Sequence, residues 1–549
     1  MAQTPGMDRR SFLTLAGAGA AAVATTTDLL RPGRAKPSSA RSAARDGTAA
    51  RPVTVPPAPF TLGVASGDPL PGGIALWTRL APDPFAPAGG MPAASVPVAW
   101  EVAADEGFRR VVRRGTATAS PESAHTVHAD VDGLAPGGTY WYRFKTGTEL
   151  SPVGRTRTAP PPGRRVERVR FATASCQNYQ DGLYTAHRGL ATEDLDFVVF
   201  LGDYIYEGSP NPAALRQHDG TGEPVTLDQY RSRHALYRRD PDLQASHAAF
   251  PWIVTLDDHE VDNNWAGDVP QDPDRQSPEA FRARRIAAFQ AYWEHMPLRR
   301  RQMPSGLDMR LYRRLGWGRL LQIDVVDTRQ YRTDQPADLI GAEDPAATML
   351  GAEQERWLDR GLASSSARWN AVANQTMVAQ NDRTAGPLES YDFDNWDGYR
   401  VPRRRLLASL GRARNPVVLT GDRHATWICD LRANFGDPAT PAVATELTGT
   451  SITSGSDPNT AVFHFAYDPI QAESPHWKFI DNQRGYLVCD LDRDRWLTDL
   501  RVVSTVRSPW RPSPPMRASS PRTGAPASRW RLPHPFPWPP PRRPPRLRP

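Results

Sequence analysis

The sequence predicts an α/β protein in which a layered α/β body over residues 165–507 follows a small all-β sandwich over residues 57–158. Two patterns and one break predict it. From Phe60 to Thr158 short apolar runs recur between turn residues at intervals suited to a β-sandwich. Beyond Arg165 strand-like runs alternate with helix-like stretches, the pattern of an α/β or α/β/β layered domain. Between them lies the Pro/Gly hinge APPPGRR, Ala159–Arg165.

In chain order, MDRRSFLTLAGAGAAAVATTT sets Arg9 and Arg10 ahead of an uncharged, small-residue-rich run from Ser11 to Thr27. This reads as an export signal within residues 1–45, followed by a flexible linker. The pair Arg9-Arg10 before Ser11, Phe12 and Leu13 resembles a twin-arginine signal, which implies the twin-arginine export machinery as partner and a secreted or cell-wall-associated product. No second long apolar segment follows, so no transmembrane span is expected in the mature chain.

The all-β segment reads as GIALWTRL, VPVAWEV, HTVHADV and, after the turn LAPGG, TYWYRFKTG. Alternation through Tyr140, Trp141, Tyr142, Arg143 and Phe144 gives the last run one apolar face. The body supplies VRFATASC, DFVVFLGD, WIVTLDDHE, RLLQIDVVDTR, WNAVANQ and PVVLTGDRH as strands, and SPEAFRARRIAAFQAYWEHM as a helix. Residues 508–549 hold 15 prolines in 42 residues with no helical or strand period, and are expected to be disordered or polyproline-like.

Charge separates the ends from the body. The net charge of +7 includes nine Arg without Lys or acid in 508–549, and seven Lys/Arg against three Asp in 1–50; residues 51–507 are therefore at −6. A nucleic-acid-binding role would rest on the tail alone, and nucleic acid is expected otherwise only as a substrate. The three cysteines, Cys176, Cys429 and Cys489, exclude a disulfide scaffold and leave at least one thiol unpaired; Cys429 and Cys489 lie in apolar runs as core residues, with a mutual disulfide as the alternative.

The strand ends carry the chemistry. FVVFLGDYIYEG, Phe197–Gly208, is a continuous apolar run that stops on Gly-Asp, as a strand buried on both faces does before a ligand-binding edge. The other runs end on Cys176, on Asp257-Asp258-His259 with Asn264 beyond, on Arg329, and on Asp422 and His424. Each alone has an ordinary explanation as helix cap or core residue. On the rim of one sheet, their carboxylates, imidazoles, thiol and phenol form a donor mixture that suits metals, and Arg329 would add an anion clamp.

With SCQ ahead of them, the motifs GDYIYE, WIVTLDDHEVDNN, VVDTRQYR and LTGDRHATW resemble those of the PhoD family of secreted alkaline phosphatases and phosphodiesterases, over roughly residues 57–507. That family is related to purple acid phosphatases and calcineurin-like metallophosphoesterases. The resemblance implies a layered α/β/β/α catalytic domain after an immunoglobulin- or fibronectin III-like sandwich. It also implies one Fe(III) and two Ca2+ ions. Cys176, Asp203, Tyr206 and His424 then fall at iron, with Asp203 bridging, and Asp258, Asn264 and Asp422 form an oxygen-rich shell suited to calcium. Asp257 and Asn263 are alternatives to Asp258 and Asn264. His259 and Arg329 are left to hold the phosphate, with His259 orienting or protonating the leaving group. The implied activity is hydrolysis of phosphate mono- or diesters, serving phosphate acquisition. Two further readings stand beside it: a phospholipase D-like phosphodiesterase on the same fold, and a non-catalytic secreted binding protein with a degenerate metal-free body.

Overall fold

The computed structural model describes residues 54–508 and the backbone of a strand at 516–519; the export signal and linker expected within 1–45 lie outside the described residues. The first β segment supplies β1 (Val64–Leu70), β2 (Gly73–Arg79), β3 (Val96–Ala103), β4 (Val111–Ala119), β5 (Thr126–Asp132), β6 (Thr139–Thr146), β7 (Glu149–Leu150) and β8 (Gly154–Arg157). Then follow β9 (Arg168–Ala174), α1 (Thr185–Ala191), β10 (Phe197–Phe200), α2 (Leu227–Arg238), α3 (Pro241–Ala249), β11 (Pro251–Val254) and α4 (Pro278–His295). The second half of the body contains β12 (Arg313–Trp317), β13 (Leu321–Val325), α5 (Gly351–Ala363), β14 (Trp369–Ala373), α6 (Arg400–Arg412), β15 (Pro416–Thr420), β16 (Thr426–Arg432) and β17 (Ala442–Thr448). The chain closes with α7 (Thr460–Glu473), β18 (Trp477–Asp481), β19 (Gly485–Asp492), β20 (Trp496–Val502) and β21 (Met516–Ser519).

Two large mixed sheets form the body. One has the order β21-β20-β19-β9-β10-β11-β1-β2-β5, the other β12-β13-β14-β15-β17-β16-β18. Strands β9, β10 and β11 run parallel, as do β13, β14, β15 and β17. Side-chain alternation sorts each strand between two layers. Phe197 and Val199 of β10 face Ile323, Ala371 and Leu419 in a core between the sheets. Val198 and Phe200 face the opposite way, into a layer filled by α2 and α4 through Tyr230, Phe281 and Phe289. Across the molecule, Val372 and Val418 meet α5 and α6 through Leu358, Leu406 and Leu410. Because both faces of these strands are covered, they read as continuous apolar runs. The observed layering is α/β/β/α. Ser277 caps α4, accepting from Ala280 N at 3.2 Å, and Pro278 occupies its first turn.

The first β segment is not set apart at the hinge. A five-stranded sheet, β4-β3-β6-β7 with β8 on β6, shares a core with β1, β2 and β5 through Val64, Leu76, Val98, Val127 and Tyr142. Yet β1 pairs in parallel with β11, Ser66 opposite Pro251 and Gly67 opposite Trp252. Residues 57–158 thus have their own core and also extend a catalytic sheet across the hinge. Gly67 is obligatory here, since a Cβ would stand 2.1 Å from the Pro297 carbonyl oxygen. Next to it, the buried Asp68 carboxylate accepts from Arg313 Nε at 2.8 Å and Nη2 at 2.7 Å, and from Gln302 Nε2 at 3.0 Å, tying β1 to β12 of the facing sheet.

The expectation of a wholly unstructured tail is also corrected, because Met516–Ser519 pairs antiparallel with β20, covering an otherwise open edge. No helix among the described residues is long and apolar enough to cross a membrane. Cys429 and Cys489 are buried, unpaired, and sit in different cores, which removes the alternative of a disulfide between them.

Candidate active site

Loops from the carboxyl ends of five strands converge. From the first sheet, β9 is followed by Cys176, β10 by Asp203 and Tyr206, and β11 by Asp257, Asp258 and His259; from the second, β13 is followed by Arg329 and β15 by Asp422 and His424. The expectation of a single sheet's rim is therefore corrected to the shared edge of two facing sheets. Arg329 Nε reaches across to Asp257 Oδ1 at 2.5 Å, and His424 Nε2 lies 4.0 Å from Asp203 Oδ2. Gly202, at φ 98°, lets these loops touch, since a Cβ there would fall 2.4 Å from Asp257 Cβ.

Donor atoms gather in three overlapping groups, Cys176-Asp203-His424, Asp203-Asp258-His259 and Asp257-Asp258-Asp422, each within 4.8 Å. Tyr206 donates its hydroxyl to Asp203 Oδ2 at 2.7 Å, accepts from Ser454 Oγ at 2.8 Å, and lies 3.0 Å from His424 Nε2. Asn264 stands apart. Its side chain is exposed, and its backbone N–H braces Asp258 Oδ2 at 2.8 Å.

The backbone is bent to make this arrangement. Of 13 non-glycine residues with positive φ among the described residues, five are candidate ligands: Cys176, Asp203, Asn264, Asp422 and His424, with φ between 52° and 63°. Such conformations concentrate where a site over-determines the chain.

Electrostatics show an excess of negative charge. Burial, then the neighbouring Asp203, pushes the Cys176 thiol well up; burial, Asp203 and Cys176 do the same to the Tyr206 phenol. Burial and the charges of Asp258 and Asp394 push Asp422 up to about 8. Three buried carboxylate oxygens, Asp203 Oδ1, Asp257 Oδ2 and Asp258 Oδ1, have no hydrogen-bond partner among the described residues. Orphaned, mutually repelling acceptors of this kind fit cations. The thiol, phenol and imidazole suit a transition metal, while the carboxylate group suits a hard cation such as calcium.

His259 is held by a residue that sequence reasoning missed. Its Nδ1 lies 2.7 Å from Glu207 Oε2, and its ring stacks on Tyr206 with centroids 4.0 Å apart. Burial opposes protonation, but Glu207 and Asp258 outweigh it and hold the imidazole well above its ordinary range. Nδ1–H then donates to Glu207, leaving Nε2 for a reacting group. Glu207 also accepts from Asn263 N at 2.9 Å.

Arg329 is held among carboxylates. Its side chain is fully buried, and Nη1 donates to both oxygens of Asp394 at 2.8 Å while Nη2 lies 3.5 Å from Asp258 and 3.9 Å from Asp422. A guanidinium enclosed by carboxylates is suited to positioning them, a second role beside the expected anion clamp, for which only Nη2 lacks a hydrogen-bond partner among the described residues. Asp394, Glu207, Ser454 and Arg484 were not legible as site residues. Arg484 braces the His424 turn, donating to the His424 carbonyl and, at 2.7 Å, to that of Ser456.

A buried thiol, phenol, imidazoles and carboxylates at the joint edge of two packed sheets make a metallophosphoesterase-like centre. Comparison with known proteins agrees. The model of the PhoD-like phosphatase family matches residues 171–500, and that of its N-terminal domain matches 47–160. Alkaline phosphatase D of Bacillus subtilis (strain 168) is 49% identical over 466 residues, covering 82% of this chain and 79% of that protein. The solved structure of PhoD superposes with a TM-score of 0.82 at 46% identity, over 86% of this chain and 92% of that one. A purple acid phosphatase from yellow lupin is far more distant, with a TM-score of 0.48 and 12% identity over 80% of this chain and 71% of that one. The chain belongs to the PhoD-like phosphatase family and is a phosphoric ester hydrolase. The resemblance read from its motifs is borne out, and the non-catalytic reading is not favoured.

Proposed function

We propose that the protein is an exported alkaline phosphatase or phosphodiesterase that hydrolyses phosphate mono- or diesters by direct attack of water at phosphorus, serving phosphate acquisition. The observation that carries this reading is the trio of interlocking donor groups with their orphaned carboxylate oxygens. Fe(III) would be held by Cys176, Asp203, Tyr206 and His424, and two Ca2+ by Asp258, Asn264 and Asp422, with Asp203 shared. When bound, these cations supply Lewis acidity toward phosphoryl oxygen and water and neutralise the carboxylate excess.

The chain's own residues supply the rest. His259 presents Nε2–H to the leaving ester oxygen, and Glu207 fixes its tautomer and ring orientation through Nδ1. Arg329 holds Asp257 and Asp394 in place and limits their repulsion. Export by the twin-arginine route, delivering a folded chain to the cell surface or beyond, is part of the same proposal and rests on Arg9 and Arg10. So is an immunoglobulin- or fibronectin III-like sandwich layout for residues 57–158.

The test is elemental analysis of the folded, exported protein, paired with hydrolysis of p-nitrophenyl phosphate and its bis-ester at alkaline pH with and without calcium. Near-stoichiometric iron with calcium-dependent turnover is expected. Zinc alone, or a metal-free inactive protein, would overturn the ligand assignment.

A further inference from the structure

Away from the active site, where β2 meets α2 and α4, the protein buries two guanidinium groups that make no ion pair among the described residues. Arg79 and Arg238 are 2% and 1% exposed, and neither forms an ion pair among the described residues. Arg79 Nε donates to the Ala124 carbonyl at 2.9 Å, and its Nη1 lies 2.7 Å from His295 Nε2. A guanidinium only donates, so His295 accepts at Nε2 and carries its proton on Nδ1, 2.7 Å from the Ala291 carbonyl. His295 is thus neutral. Arg238 lies 4.1 Å over the Trp77 ring and donates from Nη1 to the Tyr204 hydroxyl at 3.3 Å. Its Nε and Nη2 are buried without a hydrogen-bond partner among the described residues, as are both ring nitrogens of His234, whose ring stacks on His295 with centroids 5.0 Å apart.

The nearby acid is already taken. Glu294 is fully buried, and its carboxylate accepts from Arg231 Nε and Nη2, each at 2.7 Å. Arg79 feels the Glu294 charge without pairing with it, and Arg238 has no acid within ion-pair distance among the described residues, so two buried guanidiniums are only partly answered, an arrangement that is costly to leave uncompensated. Water can satisfy the open donors but cannot cancel the charge.

We propose that Arg238 Nε and Nη2, with a ring N–H of His234, hold a dehydrated monoatomic anion of chloride type beside Trp77, at the joint between the first β segment and the helical layer of the body. The donor count sets the ligand class. Two guanidinium N–H groups and one imidazole N–H suit a single spherical acceptor, whereas a tetrahedral oxyanion would bury lone pairs that no group here answers. The anion balances Arg238 and, through the His234–His295 stack, lies close to Arg79. It joins Trp77 and Arg79 of β2 to α2 and α4, reinforcing the Trp77 Nε1 bond to the Glu294 carbonyl at 2.9 Å.

Bromide tests this directly. Crystals of the full chain exchanged into sodium bromide should give an anomalous peak in contact with Arg238 Nε and Nη2. In solution, replacing methanesulfonate by chloride at constant ionic strength should raise the unfolding midpoint saturably, as binding to the folded state alone requires. Arg238→Met should abolish the saturable rise; should that variant not fold, His234→Phe, which keeps the stack but removes the N–H, should weaken it at least tenfold in chloride concentration. Bromide found only on the surface, or a midpoint indifferent to chloride in the wild-type protein, would overturn the proposal and leave ordered water at the site.

Discussion

Replacing Arg329 by methionine separates the two roles the residue could play. As a positioning residue it is fully buried and bonded to Asp257 and Asp394, each no more than 6% exposed. Methionine matches much of the volume but leaves both carboxylates without their cation. Breaking a buried pair by removing one partner costs about 3–5 kcal/mol, because the orphaned charge stays buried. The expected outcome is a marked fall in the urea midpoint, a loss of bound metal as Asp257 and Asp258 move apart, and an unchanged KM in the fraction that remains loaded. Arg329→Lys keeps the charge but cannot span two carboxylates, and should recover only part of the loss. An anion clamp predicts the opposite pattern. There, stability would hold while inhibition by inorganic phosphate weakened roughly ten- to hundredfold, the worth of a lost charge-assisted hydrogen bond of about 1.5–3 kcal/mol. A variant with wild-type urea midpoint and metal content, but phosphate inhibition weakened by that factor, would refute the reasoning from burial.

Three other variants probe neighbouring links. Cys176→Ser should weaken or shift a visible charge-transfer band in the iron-loaded protein, and Tyr206→Phe should alter the same band; a spectrum unchanged by either would remove that residue from the metal. Glu207→Gln should slow hydrolysis of alkyl phosphates at least about tenfold more than that of p-nitrophenyl phosphate, since only the poorer leaving group depends on a proton from an oriented His259; equal losses on both would deny the orienting role. Asp68→Ala should cost about 3–5 kcal/mol in chemical denaturation by leaving Arg313 buried and unpaired. Burial works to raise the Asp68 carboxyl, but Arg313 and Gln302 outweigh it and hold the value below the ordinary one. Its contribution is therefore fully present above the unfolded value of about 3.9 and lost as pH falls through the lower folded value. The gap between wild type and Asp68→Ala should narrow only in that acid window.

Much of the fold was legible because local burial leaves a local signature. Phe197–Phe200 is covered on both faces and so reads as an unbroken apolar run, while β6 alternates because Arg143 is only half-buried between the buried Tyr142 and Phe144. What failed was non-local. β9–β11 and β13–β15 share one sequence pattern, so nothing local assigns them to different sheets. β1 escaped notice because VASGDPL looks like a turn; it is a strand because Gly67 passes against the Pro297 carbonyl and Asp68 is captured by Arg313 from the facing sheet. β4, VVRRGTATA, has a largely exposed face and little apolar contrast. At the site, residue type and strand-end position pointed to side chains that the fold brings together, since thiol, carboxylate and imidazole are costly to bury without purpose. The enclosure of Arg329 was not legible because it depends on Asp394, which lies in a loop without any period. Glu207 stood in plain view beside Tyr206, yet only the fold brings it to His259.

The five left-handed candidate ligand residues explain how donors from separate strands meet. Neighbouring strands lie about 4.8 Å apart and run straight on, so side chains at their ends do not converge unless the chain turns sharply just beyond. Each non-glycine residue in that conformation costs roughly 1 kcal/mol or more, and five together rival a sizeable share of a typical domain's net stability. The loops offset that cost on one another. Cys176 N donates to the Gly202 carbonyl at 3.2 Å and Gln177 N to that of Asp203 at 3.0 Å, while the Cys176 carbonyl accepts from Ser454 N at 3.2 Å. Asn264 N holds Asp258, and Arg484 holds the His424 carbonyl. These bonds are all made by the protein itself. The geometry of these candidate donors is therefore held by the protein's own bonds, and what a bound cation would contribute is charge to answer Asp203, Asp257 and Asp258, whose buried oxygens lack a hydrogen-bond partner among the described residues.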